Sequence, residues 1–374
     1  MQTLGIGLIG TGFMGRTHAL AYRAAAGIFP NLPAPVLEMV ADIDGAAAGR
    51  ARQQYGFARA TTDWRALVAD ERVQVVSITT PNVMHREMAL AAIAAGKHVH
   101  CEKPLAPSVA DARVMTEAAE AAGVRTQTGF NYIKNPILKL ARDMIAQGEL
   151  GEITGFRGIH AEGFMSDPAI PYSWRLDPAG GGGAIADIGS HIIGMARYLL
   201  GPITEVMADL DTMVKQRPAA FGSSEMRAVA VDDAARLLVR FERGMAGTIE
   251  ANWSATGRAM QLGFEISGSR GTIAFNQERL NELQFFKAGG EPSRSGFTRI
   301  EAGPAHTPYS LFCIAGGHQL GFNDLKTIEV AEFLAAISSG EANGPDFREA
   351  LEVQKIIEAA IRSSSERRWL AIES

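Results

Sequence analysis

Cysteine is nearly missing. Cys101 and Cys313 are the only two in 374 residues, too few for a disulfide framework, and Cys101 sits in an apolar run where a reduced, buried thiol is common. That usage points to a cytoplasmic protein. A surplus of charge is missing as well: 36 Lys and Arg face 41 Asp and Glu, a formal net charge of −5, which leaves no electrostatic reason to bind nucleic acid or an anionic membrane. No apolar run approaches the roughly 20 residues needed to span a bilayer, and Met1-Gln2-Thr3 leads into a strand pattern without a basic leader segment. Low-complexity tails and internal repeats are also absent. What is present is 47% hydrophobic and 21% charged residues, the balance of a soluble globular protein, over a length that suggests two domains and a small, soluble ligand.

The first informative stretch is glycine-rich. Leu4 to Ile9 is a short apolar run meeting Gly10-Thr11-Gly12-Phe13-Met14-Gly15, a full G-x-G-x-x-G, and Arg16 to Ala26 then reads as helix. Glycine suits such a turn because it takes positive φ and lets a backbone approach a pyrophosphate without a Cβ in the way. The following helix start offers free N–H groups to the phosphates. Gly10, Gly12, Phe13, Met14 and Gly15 are therefore candidate dinucleotide contacts. Val36 to Val40 is the next strand, closing on Ala41-Asp42-Ile43-Asp44. An acid there accepts hydrogen bonds from ribose hydroxyls and repels a 2′-phosphate, so Asp42 favours NAD over NADP. Asp42 lies 27 residues after Gly15, later than the roughly 20 of the fingerprint, and the Pro-rich piece from 27 to 35 accounts for the delay. Either Asp42 or Asp44 can instead cap the helix from Ala46 to Tyr55.

Strand and helix keep alternating: Thr62-Asp63 capping a helix through Val68, a strand at 73–78, a helix at 85–95, a strand holding Cys101, a helix at 108–122 and a strand at 124–128. This is the pattern of a doubly wound parallel sheet, whose ligands sit outside the carboxyl ends of the strands. Gly10, Asp42, Pro81 and Lys103 fall at those ends. Around Lys103, in His98-Val99-His100-Cys101-Glu102-Lys103-Pro104, the two histidines share one strand face and Cys101 the other, which argues against a Cys/His metal site. Proline permits a cis bond and keeps the lysine extended, with its ammonium in a set direction.

The order of Gly10 to Gly15, Asp42, Thr80-Pro81-Asn82 with His85, Gly96-Lys97-His98-Val99 and Glu102-Lys103-Pro104 resembles the N-terminal half of the glucose-fructose oxidoreductase, inositol 2-dehydrogenase and MocA family. The resemblance implies a nicotinamide dinucleotide held also by Thr80, Pro81, Asn82, His85, Glu102 and Lys103. It further implies a Lys103–Pro104 bond that is often cis, and a lysine near both nicotinamide and substrate hydroxyl.

The crossover to a second domain falls near Phe130, giving a dinucleotide-binding Rossmann domain over 1–130 and an α+β substrate-binding and oligomerisation domain over 131–374. Asn131 and Tyr132 leave the last parallel strand, and Pro136 to Gln147 reads as a helix opened by proline. After a strand at 153–160, Trp174 and Arg175 can stack on a sugar ring and bind its hydroxyls. Four glycines, Gly180 to Gly183, precede a helix from Ala184 to Leu200 whose Ile188, Ile192, Met195 and Leu199 form a buried stripe. Asp187 and His191 lie one turn apart on another face, where a carboxylate can orient an imidazole as a general base. The stretch Gly182 to His191 is similar to the family's second motif, whose Asp and His face the nicotinamide. Strand-like runs at 203–210, 234–241, 245–253, 262–267, 272–275 and 280–286 predict a large, mostly antiparallel sheet, with Trp253 at a strand end near the substrate. Residues 289–308 read as a surface loop, and 324–337 and 346–361 as closing helices.

The expectation is an NAD-dependent dehydrogenase of a sugar, anhydrosugar or cyclitol, a homodimer or homotetramer without metal, using Lys103, Asp187 and His191. A sensor binding NAD and sugar without chemistry, and a glycosidase oxidising its substrate transiently, are the alternatives on the same fold.

Overall fold

The structure, a computed structural model, describes residues 3–341 and 343–373. The chain divides into two compact units: Met1–Lys134 with Gly321–Leu351, and Asn135–Leu320 with Glu352–Ser374. The expected single crossing at 130/131 thus becomes a crossing after Lys134 and a later return to the first unit. The return follows from a long-range need for cover, described below.

The first unit opens with β1 (Thr3–Ile9), α1 (Phe13–Ile28), β2 (Ala34–Ala41), α2 (Gly45–Tyr55), β3 (Arg59–Thr61), α3 (Trp64–Ala69), β4 (Val75–Ile78), α4 (His85–Ala94), β5 (His98–Cys101), α5 (Val109–Ala122) and β6 (Thr126–Thr128). All six strands pair in parallel, in the order β3-β2-β1-β4-β5-β6, so the order reverses beside β1, where a doubly wound sheet opens its crevice. β3, only three residues long, has no counterpart in the sequence reading. β4 and β5 are buried on nearly every residue, as parallel strands covered on both faces must be.

The second unit holds α6 (Pro136–Ala146), β7 (Ile153–Ala161), a π-helical turn at Ile185–Gly189 running into α7 (Ser190–Leu200), β8 (Ile203–Asp211), a small hairpin of β9 (Gln216–Pro218) and β10 (Met226–Ala228), then β11 (Ala234–Phe241), β12 (Ala246–Asn252), β13 (Gln261–Gly268), β14 (Gly271–Asn276), β15 (Glu282–Lys287), β16 (Thr298–Glu301) and α8 (Tyr309–Phe312). Nine strands form one sheet in the order β16-β15-β14-β13-β7-β12-β11-β8-β17, the last being Leu370–Ala371. Every pair is antiparallel except β7 with β12. β16 corrects the expectation of a bare loop at 289–308. An edge strand with exposed Thr298, Arg299 and Glu301 carries almost no hydrophobic alternation to read. Along β11 burial alternates, with Leu237, Val239 and Phe241 inward and Arg236, Leu238 and Arg240 outward; α7 packs against β7, β12 and β13.

α9 (Phe322–Ser339) then returns to the first unit, and α10 (Phe347–Glu366) begins there and continues in the second. Val330, Ala331, Phe333 and Leu334 of α9 join Leu4, Ile6, Leu8 and Tyr22 in one core. Without α9 that face of α1 and the sheet would meet water.

Candidate functional site

At the end of β1 the chain turns on Gly10, whose φ of +96° lies in the region that side chains avoid. A Cβ on Gly15 would overlap the Gly10 carbonyl oxygen, whereas one on Gly12 would meet nothing within 4 Å. The loop is thus closed on itself at Gly15 and open outward at Gly12. Among the described residues no side chain caps the start of α1, and its first turn contains no acid, which leaves N–H groups and the positive end of the helix dipole for an anion. This cradle fits a diphosphate. Phe13 is 70% exposed and stacks on Phe322 at 5.7 Å; Met14 is half-buried.

Asp42, just beyond β2, accepts from Thr11 N–H (2.9 Å) and Thr11 Oγ1 (2.6 Å) at Oδ2 and from Asp44 N–H (3.0 Å) at Oδ1. Asp44 is the helix cap, accepting from Ala46 N–H, which leaves Asp42 as the candidate for the ribose. Between them Ile43 is 94% exposed.

Thr80 and Pro81 are half-buried and Asn82 is buried. His85 has no exposed surface. Its Nε2 lies 2.9 Å from Thr80 O, and its Nδ1 3.1 Å from Pro104 O and 3.3 Å from Leu105 O. It ties the loop after β4 to the loop after β5 from beneath, instead of facing a ligand. Burial lowers its pKa, although the carbonyls oppose the shift.

The Lys103–Pro104 bond is cis, and Lys103 is half-buried. Glu102, expected at the cofactor, is 5% exposed and points into the core. Its Oε1 accepts from His18 Nε2 (2.8 Å) and Lys326 Nζ (2.9 Å), its Oε2 from Lys103 N–H (3.3 Å). Burial pushes its pKa up, but Lys326 and His18 outweigh that and hold it well below the usual carboxylate range. Lys326 also donates to Glu329 Oε1 (2.6 Å), which receives His100 Nε2 (2.9 Å); the His18 and His100 rings lie 4.3 Å apart. His18, His100 and Glu329 are close enough together to hold a metal ion, but the Lys326 ammonium already supplies the cation there. Sequence reading missed this cluster because its members come from distant parts of the chain, the bonded pair His100 and Glu329 alone being 229 residues apart.

Asn131 is 2% exposed and its Nδ2 has no hydrogen-bond partner among the described residues. The Tyr132 ring lies 5.9 Å from that of Phe322.

In the second unit, Arg175 Cζ lies 4.4 Å from the Trp174 ring centroid and its Nε donates to Asp187 Oδ2 at 3.0 Å. Trp174 is 38% exposed, so an aromatic face, a guanidinium and a carboxylate form one polar and aromatic surface. Asp187 lies in the π turn, not in the regular helix the pattern predicted. Gly189 lets that turn press on β12, where a Cβ would come within 3.1 Å of Ala251 Cβ. A widened turn disturbs the normal carbonyl pairing, and His160 compensates: its Nδ1 donates to Ile188 O (2.7 Å) while its Nε2 meets Glu162 Oε1 (2.8 Å). The His160 ring lies 5.6 Å from that of His191. Trp253, expected at the substrate, is corrected to a core residue: it is 0% exposed and its Nε1 donates to Asp233 Oδ1 at 2.7 Å.

Residues 4–130 match the model of an oxidoreductase family with an NAD-binding Rossmann fold, and residues 138–274 that of the GFO/IDH/MocA C-terminal domain. A levoglucosan dehydrogenase of Pseudarthrobacter phenanthrenivorans is 38% identical over 387 residues, covering 100% of this chain and 99% of that protein. The chain belongs to the GFO/IDH/MocA family of oxidoreductases. A second GFO/IDH/MocA relative, the 1,5-anhydro-D-fructose reductase of Ensifer adhaerens, is 33% identical over 71% of this chain and 74% of its own. A solved levoglucosan dehydrogenase in complex with NADH and levoglucosan superposes on this family member with a TM-score of 0.96 at 37% identity, covering 100% of both chains. An NAD binding oxidoreductase from Klebsiella pneumoniae does so at 0.95 and 43%, again over 100% of both. Among the described residues no helix is long and apolar enough to cross a membrane.

Proposed function

We propose that the protein is an NAD-dependent dehydrogenase that removes hydride from a ring carbinol of a sugar, an anhydrosugar before a free sugar or cyclitol. The observation that carries the reading is the first unit itself: an uncapped helix start behind a glycine loop, an acid just beyond β2 in place for the ribose, and Lys103 just after the end of β5. Two of the relatives are named for anhydrosugar chemistry, which favours that substrate class. Bound NAD supplies the hydride acceptor, nicotinamide C4. His191 takes the hydroxyl proton, Asp187 orients the imidazole, and Lys103 hydrogen-bonds the substrate oxygen as negative charge develops on it. Trp174 and Arg175 hold the ring and its hydroxyls. Asp42 disfavours NADP by charge. The outward face of the large sheet, with Leu238 at 47% exposure in a concavity of ≈ 660 Å³ lined also by Arg236, Thr248 and Glu250, is the surface on which a homodimer or homotetramer forms, in the cytoplasm.

The test is the absorbance of reduced nicotinamide across levoglucosan, other anhydrosugars, aldoses and myo-inositol with NAD+ or NADP+. Net NADH with an anhydrosugar supports the reading. A sensor gives no turnover at all, and a glycosidase gives product without net NADH. Lys103→Met is expected to abolish turnover with NADH binding retained, and full turnover in that variant refutes the role of Lys103.

A further inference from the structure

We propose that Lys326 is a positioning residue for Lys103 and acts through Glu102; the proposal rests on the reading that Lys103 touches the substrate. Lys326 lies in the first turns of α9, brought to Glu102 across 224 residues of sequence. It is 0% exposed and its ammonium bridges the carboxylates of Glu102 and Glu329.

The hydrogen-bond partners assign the rest of the cluster. His18 Nε2 faces a Glu102 oxygen and His100 Nε2 a Glu329 oxygen, and a carboxylate only accepts, so each ring carries a proton on Nε2; Ser77 Oγ at 2.7 Å and Tyr22 OH at 3.1 Å then stand as donors to the two Nδ1 atoms. Both imidazoles are then neutral, in keeping with the fall of His18 from 6.5 to about 3, for which burial is the largest cause and Lys326 the next. Two carboxylates therefore face one ammonium in a dry core, and Lys326 is the charge that holds Glu102 ionised there. Glu329 Oε2 has no hydrogen-bond partner among the described residues, and its Oε1 meets only His100 Nε2 beside the ammonium.

Glu102 in turn has no freedom to move. A Cβ on Gly129 would overlap its carboxylate, His18 and Lys326 hold Oε1, and Oε2 receives the N–H of Lys103. The carboxylate is thus a rod between the α9 ammonium and the backbone of Lys103. His85 braces the other side of the same loop through the carbonyls of Pro104 and Leu105. The two braces fix the origin of the Lys103 side chain, and misplacement of a reacting group by about 1 Å costs on the order of 100-fold in rate.

The experiment compares full-length Lys326→Met, Glu102→Gln, their double variant and Lys103→Met. Lys326→Met strands two carboxylates, so Lys326→Met/Glu329→Gln is made as well, to keep the core neutral enough to fold. Turnover and NADH affinity by fluorescence are read for each. In the Lys326 variants kcat is expected to fall roughly 10- to 100-fold with NADH affinity changed less than about threefold. Lys326→Met is expected to add less than about threefold to the loss already caused by Glu102→Gln. The proposal is overturned by unchanged kcat per NADH-binding site in Lys326→Met/Glu329→Gln, or by losses that simply multiply in the double variant. An active Lys103→Met would instead overturn the underlying assignment of Lys103, whatever the Lys326 variants do.

Discussion

Replacing Asp232 by asparagine changes one buried carboxylate at the base of the π turn, and its effect can be worked out with sign and size. Asp232 is 7% exposed; its Oδ2 accepts from Ile185 N–H (2.8 Å) and its main-chain oxygen from Ala184 N–H (2.9 Å). Burial raises its pKa from 3.8 to about 7, the Asp233 charge adds to the rise, and the Ile185 N–H opposes it. The folded state therefore holds this proton more tightly than the unfolded chain. The stability so gained is fully present below about pH 4 and is lost as pH rises through about 7. The interval between the two values is worth on the order of 4 kcal/mol at about 1.4 kcal/mol per pH unit, and water penetration and relaxation reduce that to about 2 kcal/mol. The asparagine side chain does not titrate, yet keeps an oxygen for Ile185 N–H. Other groups cancel when the two proteins are compared at the same pH. The thermal midpoint of Asp232→Asn is thus expected to gain on the wild type by about 4–8 °C between about pH 4 and pH 8. Thermal melts across that range decide it: a gap that stays constant, or that narrows with rising pH, refutes a neutral Asp232 in the core.

Two further outcomes follow from geometry. Asp42→Ala should lower the NAD+ to NADP+ ratio of kcat/KM by at least about tenfold, because the like charge facing a 2′-phosphate is gone; NAD+ binding weakens too, since the acid also anchors Thr11, and steady-state kinetics with each cofactor shows both. His160→Leu leaves the Ile188 carbonyl without its donor at a cost of about 1–3 kcal/mol and should reduce kcat/KM by about tenfold or more, whereas His160→Asn, whose amide N–H takes the place of Nδ1–H, should recover most of it. Equal losses in the two variants would show that the ring's bulk, not its donor, matters.

What the sequence discloses here is what is local. The glycine loop, Asp42 and the proline after Lys103 carry their meaning within a few residues, and the alternation of strand and helix up to Thr128 is a periodic signal. The start of α6 at Pro136 and the inward stripe of α7 are legible for the same reason. Features made by distant pairs are not. Lys326 and Glu329 read as ordinary helix charges until α9 is seen to be buried around most of its circumference. The π turn escapes because one extra residue per turn barely alters the spacing of Ile188, Ile192 and Met195. Trp253 misleads because a strand-end tryptophan suggests a ligand, and only Asp233 beside its indole N–H reveals a satisfied core residue.

The return of α9 has a consequence for synthesis. By the time a ribosome has delivered β6 at Thr128, all six parallel strands exist, yet Val330, Phe333 and Leu334, which close the core over Leu4, Ile6 and Tyr22, are still some 200 residues from being made. The nascent amino-terminal third must therefore wait with an apolar face open while eight of the nine strands of the large sheet are translated, so its folding cannot finish in the order in which it emerges.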